Sequence, residues 1–492
     1  MTTRPTKGLG GSAAGRGGRA GRAARAAAAT PASRDRWVDA LRAGSLLVVV
    51  LGHWLMIGLS ADGEITNALV IVPSLQPLTW LLQVMPLFFL VGGVAHSYAL
   101  DSLDRRVPPG VPGRYAAFFR ARAVRLLRPS IAFLAVWVGL GAIAHLTGLT
   151  SRPGSEGRFA RDALVAVPQL LWFVGIYLGA CAFAPLMRRL HEQWGPYAAG
   201  LLVGFALLTD VVRFTAAQFV GNLNFIVVWL VFHQLGFLWR DGWLTRRVGW
   251  LLLVGGYGVM LVAITVGPYP TSMVGLPGEA ISNMAPPTVA LLAQGLGICG
   301  LAVIARPVMN RVLSRPRAWL AVVQAGPFAM TAFLWHLTAL MVVLLGLRAL
   351  GVEQPAVASW AWWLTRPLLF AVLVVVTAAV VVLFVRFDRG PRTATSVPVG
   401  LPRRVDVLAA VSAALIFLGI LIVSIVGVDV LGNRAVFFLV GDVTPLVGFA
   451  VLAVGIGLLF ASTASGVSRL AVRGVASGVR ESRPASHQPD AT

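Results

Sequence analysis

The chain has 492 residues, 57% of them hydrophobic and only 12% charged, with a mean hydropathy of +0.79. Soluble domains carry about 25% charged residues, so the composition excludes an ordinary soluble enzyme and points to the bilayer. The net charge of +22 would suit a nucleic-acid binder, but the 40 arginines and the one lysine, Lys7, fall in short segments between apolar runs. No soluble segment is large enough to gather them on one reading face, so nucleic acid is not expected as a partner.

In chain order, residues 1–35 are rich in Gly, Ala and Arg and have no apolar core. That is the composition of a disordered basic tail, without the central hydrophobic stretch of a signal peptide. Apolar runs of about 20 residues, the length that crosses the hydrocarbon as a helix, then recur at about 37–60, 77–100, 127–148, 167–187, 196–214 and 222–239. Six more follow near 249–267, 286–305, 328–350, 363–385, 406–428 and 443–463. The expected fold is all-α, a polytopic membrane bundle of about 12 transmembrane helices. Its expected divisions are a ten-helix core over 36–387, two further spans within 388–465, and a disordered C-terminal tail over 466–492.

Twelve spans alternate sides, and basic residues concentrate in cytoplasmic segments. With both tails inside, 34 basic residues fall inside and 7 outside, and residues 268–285 carry none. The pattern predicts a multi-pass protein of the cell membrane with both termini cytoplasmic. No loop is long enough for a soluble catalytic domain, so any chemistry uses the helices or their mouths. Cys181 and Cys299, the two cysteines, both lie in apolar runs, which supports neither a disulfide framework nor a cysteine metal site. No metal is implied.

The first run, "RWVDALRAGSLLVVVLGHWLM", carries Asp39, Arg42 and His53. Eleven residues at 100° each bring His53 back to the face of Arg42, roughly 16 Å further along the axis, and Asp39 falls near the same face. Ionisable groups at such depth mark functional pathways, although a histidine can also serve as a packing hydrogen bond and an arginine as a snorkelling anchor. The third span opens on "RYAAFFRARAVRLLRPSIAF", in which Arg122 and Arg125, three apart, form a guanidinium pair. Such a pair either grips phosphates or lies on anionic headgroups. "LWFVGIYL", Leu171–Leu178, reads as aromatic packing, and Asp210 with Arg213 as an interfacial ion pair. His96 in "GGVAHSYAL" and His233 in "WLVFHQLGFLW" fit no pattern. "TAFLWHLTALM" places Trp335 and His336 in the ninth span.

Taken in order, these residues resemble the acyltransferase-3 family of integral membrane acyltransferases. The first helix has its Asp-x-Leu-Arg opening, Asp39, Leu41 and Arg42, followed by His53 after ten intervening residues. "MPLFFLVGG" resembles the family's Pro-x-Phe-Phe-Phe-x-Ser-Gly, with Gly92 in place of the serine. The third helix has Arg-x-x-Arg, Arg122 and Arg125. "LWFVGIYL" and "FLWHL" resemble Leu-Trp-Phe and Tyr-Leu-x-His segments, with Trp335 where the tyrosine stands. The likeness covers about residues 34–387. The last two spans lie beyond it, and an oligomerisation or lid role is expected of them.

The resemblance implies transfer of an acyl group, usually acetyl, from acyl-CoA to a hydroxyl of an envelope sugar, glycolipid or related molecule. His53 is then the general base and Arg42 belongs with it to the catalytic set. Arg122, Arg125 and His336 fall to donor binding, the arginines of the mouth, Arg42 included, holding the CoA phosphates. Direct transfer and an acyl-histidine intermediate are both open. A different class, a twelve-helix transporter or flippase with His53 as a proton relay, fits the same composition.

Overall fold

Within hydrocarbon every backbone amide and carbonyl must be paired inside the chain, which a helix does locally, and the apolar runs fold accordingly. The computed structural model describes residues 21, 25, 27–31, 34–59, 64–388, 402–438 and 441–478. Most of the N-terminal tail and residues 479–492 of the C-terminal tail lie outside them. Among the described residues, twelve helices are long and apolar enough to cross a membrane.

They are α1 Arg36–Met56, α2 Met85–Asp104, α3 Arg114–Leu146, α4 Leu171–Trp194, α5 Tyr197–Thr215 and α6 Asn224–Arg240. The rest are α7 Arg246–Val266, α8 Val289–Leu313, α9 Ala329–Ala349, α10 Trp360–Asp388, α11 Arg404–Val426 and α12 Pro445–Gly478. The two largest differences from the hydropathy reading are at the start of α3 and the end of α12. The arginine-rich stretch before residue 127 is continuous with the third span, and α12 runs beyond residue 465. A two-stranded antiparallel pair, Ile57–Leu59 with Ile65–Asn67, links α1 towards α2.

Contacts between helix ends sort them onto two faces of the bundle. At one end, Asp35 caps α1 by accepting the Trp37 N–H at 3.2 Å and pairs with Arg306 of α8 at 2.8 Å. Asp101 of α2 binds Arg188 of α4 at 2.7 Å and also Arg240 of α6, while Asp104 pairs with Arg114 of α3. All of these belong to the basic side of the charge pattern. At the other end, Asp210 of α5 and Arg213 face each other at 3.7 Å. They are buried rather than interfacial, with 1% and 9% exposure. Asp210 accepts the first amide of α8, that of Val289, at 2.7 Å and the Tyr269 hydroxyl at 3.1 Å. Burial and the Asp210 carboxylate push the Tyr269 phenol up.

α2 and α6 cross in backbone contact. A Cβ on Gly93 would stand 1.9 Å from the His233 carbonyl oxygen, and one on Gly236 would stand 2.2 Å from that of Leu90. Small residues at membrane crossings allow this approach, and it sets which side chains of the two helices meet.

The last two spans are built into the bundle. Ile416, Ile420 and Val423 of α11 are buried, and Ile420 and Phe417 fill the space left beside Gly175 and Gly179 of α4. The Asp406 carboxylate accepts the N–H groups of Gly113 at 2.8 Å and Ala116 at 2.9 Å, capping the otherwise unpaired start of α3.

Candidate active site

Val38, Leu41, Leu46, Val50 and Trp54 make the buried face of α1, whereas Leu47 and Leu51 turn outward. Arg42, exposed, and His53, half-buried, project in nearly the same direction from α1, since eleven residues return a side chain to within about 20° of its starting direction. His53 meets α9 there. Its Nδ1 is 2.9 Å from Nε2 of His336, with the rings stacked at 5.0 Å between centroids. The neighbouring Trp54 indole donates to the His336 carbonyl at 3.2 Å, fixing the register between the two helices.

The tautomers follow from the network. Nδ1 of His336 lies 2.6 Å from the Phe333 carbonyl oxygen, to which it can only donate. Nε2 of a neutral His336 is then an acceptor, so Nδ1–H of His53 donates to it. Nε2 of His53 keeps its lone pair. Both nitrogens of His336 are therefore engaged within the protein, and its ring stands directly against that of His53.

At the basic end, the Arg122 guanidinium lies over the Phe118 ring, 3.8 Å from its centroid, and donates to the Phe118 carbonyl at 2.9 Å. Arg42 and Arg125 are exposed, and among the described residues neither has a hydrogen bond or an acidic partner. Asp39 pairs with Arg34 at 2.6 Å and leaves Arg42 free of it. Arg42, Arg122 and Arg125 all come within electrostatic reach of the Tyr177 hydroxyl in α4. The motif arginines of α1 and α3 therefore share one neighbourhood beside the fourth span.

From there a file of rings leads to the histidine pair. Tyr177 is 6.1 Å from Phe173, Phe173 is 5.1 Å from Phe333, and Phe333 is 5.9 Å from His336. The missing serine of the second motif also has a physical account. A Cβ on Gly92 would lie 2.9 Å from the Tyr177 ring and 3.2 Å from its hydroxyl, so the tyrosine fills that space. Trp335 serves packing, stacked on Phe384 at 3.8 Å.

His96 and His233, unassigned in the sequence, form a second buried pair at 2.9 Å, and the Cys181 thiol lies 3.4 Å from His96. The Gly93–Gly236 crossing brings them together. A glycine one turn before His96 and another one turn after His233 was the available signal. Among the described residues no group of three or more His, Cys, Asp or Glu is arranged to hold a metal ion.

The family described as an acyltransferase domain matches residues 35–386. No curated protein and no solved structure matches the chain significantly.

Proposed function

We propose, from the premise that this chain belongs to the acyltransferase family whose domain spans residues 35–386, that it moves an acyl group from acyl-CoA to a hydroxyl of an envelope sugar, glycolipid or related molecule. Acetyl is the group proposed, the cell membrane the location, and the basic end with both termini the cytoplasmic face. One observation carries the reading: Nε2 of His53, beside His336, and Arg42, both without a partner among the described residues, stand on the same helix face.

The separation, roughly 16 Å along α1, divides handle from chemistry. The phosphates of CoA stay with Arg42, Arg122 and Arg125, where guanidiniums bind them in charge-assisted, bidentate fashion. The slender pantetheine arm reaches past the aromatic file and brings the thioester to His53. As the acceptor oxygen attacks the acyl carbon, Nε2 of His53 takes its proton. The C–S bond breaks, and the imidazolium returns the proton to the CoA thiolate. His336 serves here as a positioning residue, since its acceptor nitrogen fixes which nitrogen of His53 is basic.

Arg122 grips the non-reacting end, so Arg122→Ala is expected to raise the KM for acetyl-CoA about tenfold or more, the worth of one lost charge-assisted contact, with kcat little changed. Initial rates against acetyl-CoA concentration check this. An unchanged KM would place the segment on lipid headgroups instead.

A further inference from the structure

A cavity of about 440 Å³ opens at the basic end between α2, α3, α4 and α11. Three guanidiniums line it, those of Arg114, Arg189 and Arg403, with one carboxylate, Asp406. The acidic groups nearby already have hydrogen-bond or ion-pair partners of their own. Both Asp406 oxygens cap α3, and Arg114 is paired with Asp104 outside the cavity lining. Arg189 and Arg403 are exposed, and their side chains have no hydrogen bond or ion pair among the described residues. Arg114 and Arg189 both face this cavity. Three guanidiniums against one lining carboxylate leave the cavity net positive, which favours an anion.

Apart from Tyr115, the remaining side chains of the lining are apolar, with Leu103, Leu186 and Val407 among them. It continues away from the basic end along two exposed faces, Leu186 and Phe183 on α4 and Val407 and Val411 on α11. An anion pocket that runs directly into an apolar track fits an amphiphile. We propose that this cavity binds one anionic glycerophospholipid, its phosphate between Arg189 and Arg403 and an acyl chain along the α4–α11 faces. A soluble phosphate compound shares the headgroup chemistry but has no use for the track. Arg403 and Val407 lie beyond residue 386, so α11 supplies half of a site that the family domain alone does not contain. Phe118 lines the cavity and also carries Arg122 on its ring, which makes it a wall shared with the donor arginines.

The test uses the full chain purified in detergent and titrated with palmitoyl-oleoyl phosphatidylglycerol or phosphatidylcholine, with bound lipid counted by native mass spectrometry. One phosphatidylglycerol is expected to bind at least tenfold more tightly than phosphatidylcholine, and excess glycerol 3-phosphate is expected not to displace it. Arg189→Gln with Arg403→Gln is expected to weaken it about 30-fold, from about fivefold per guanidinium. Should the double variant fail to elute as a folded monodisperse species, Arg403→Gln alone is expected to show its fivefold share. Equal retention of phosphatidylcholine, displacement by glycerol 3-phosphate, or unchanged binding in the variants would each overturn the proposal.

Discussion

His53→Ala is expected to slow acyl transfer by about 10²–10⁴-fold, the usual worth of a positioned general base, while the protein still folds. Arg42, Arg122 and Arg125 are untouched, so the KM for acetyl-CoA should hold as kcat falls. A small loss of stability should accompany the change. Nε2 of His336, buried and fully enclosed, loses the 2.9 Å partner that His53 provides, and a buried acceptor left unpaired costs about 1–3 kcal/mol. The Trp54 bond to the His336 carbonyl remains to hold α1 against α9. Rates and melting temperature measured on one preparation separate the two effects. A variant that melts lower but transfers at the wild-type rate would make the histidine pair a packing device and nothing more.

The second large effect is expected at the α2–α6 crossing. In Gly236→Ala the new methyl would stand 2.2 Å from the Leu90 carbonyl oxygen and 2.6 Å from the Val94 nitrogen. Both are backbone atoms, so relief requires the helices to separate. Separation pulls His96 from His233, and the overpacking and the broken buried hydrogen bond together cost about 3 kcal/mol or more. Gly200→Ala in α5, where nothing lies within 4 Å of the new carbon, is the control and should melt with the wild type. Thermal unfolding in detergent that leaves Gly236→Ala level with Gly200→Ala would contradict the crossing described here.

What the sequence made legible and what it hid divide along a physical line. Span number follows from continuous apolar runs, and the two ends of the bundle follow from where arginines fall, because both report on the solvent each segment meets. Pairings between distant helices carry no such local mark. His53 and His336 are separated by 283 positions, and only the packing of α1 on α9 shows that the two rings meet. The same holds for His96 with His233, and for Asp406, whose role as the cap of α3 is invisible 290 residues downstream. Arg42, Arg122 and Arg125 were readable as candidates by motif, whereas their shared neighbourhood beside Tyr177 required the fourth helix. Asp210 and Arg213 were readable as a pair by spacing, but not as the buried anchor that holds the start of α8.

The most direct test of the central claim follows the acyl group itself. Wild-type protein reconstituted in liposomes with an extract of envelope lipids and glycans is supplied with acetyl-CoA labelled on the acetyl carbon. The label is expected to leave CoA and appear as an ester on a hydroxyl compound of the extract, in proportion to the protein present. Label that stays on CoA while a component of the extract crosses the bilayer would contradict acyl transfer and make the molecule a transporter.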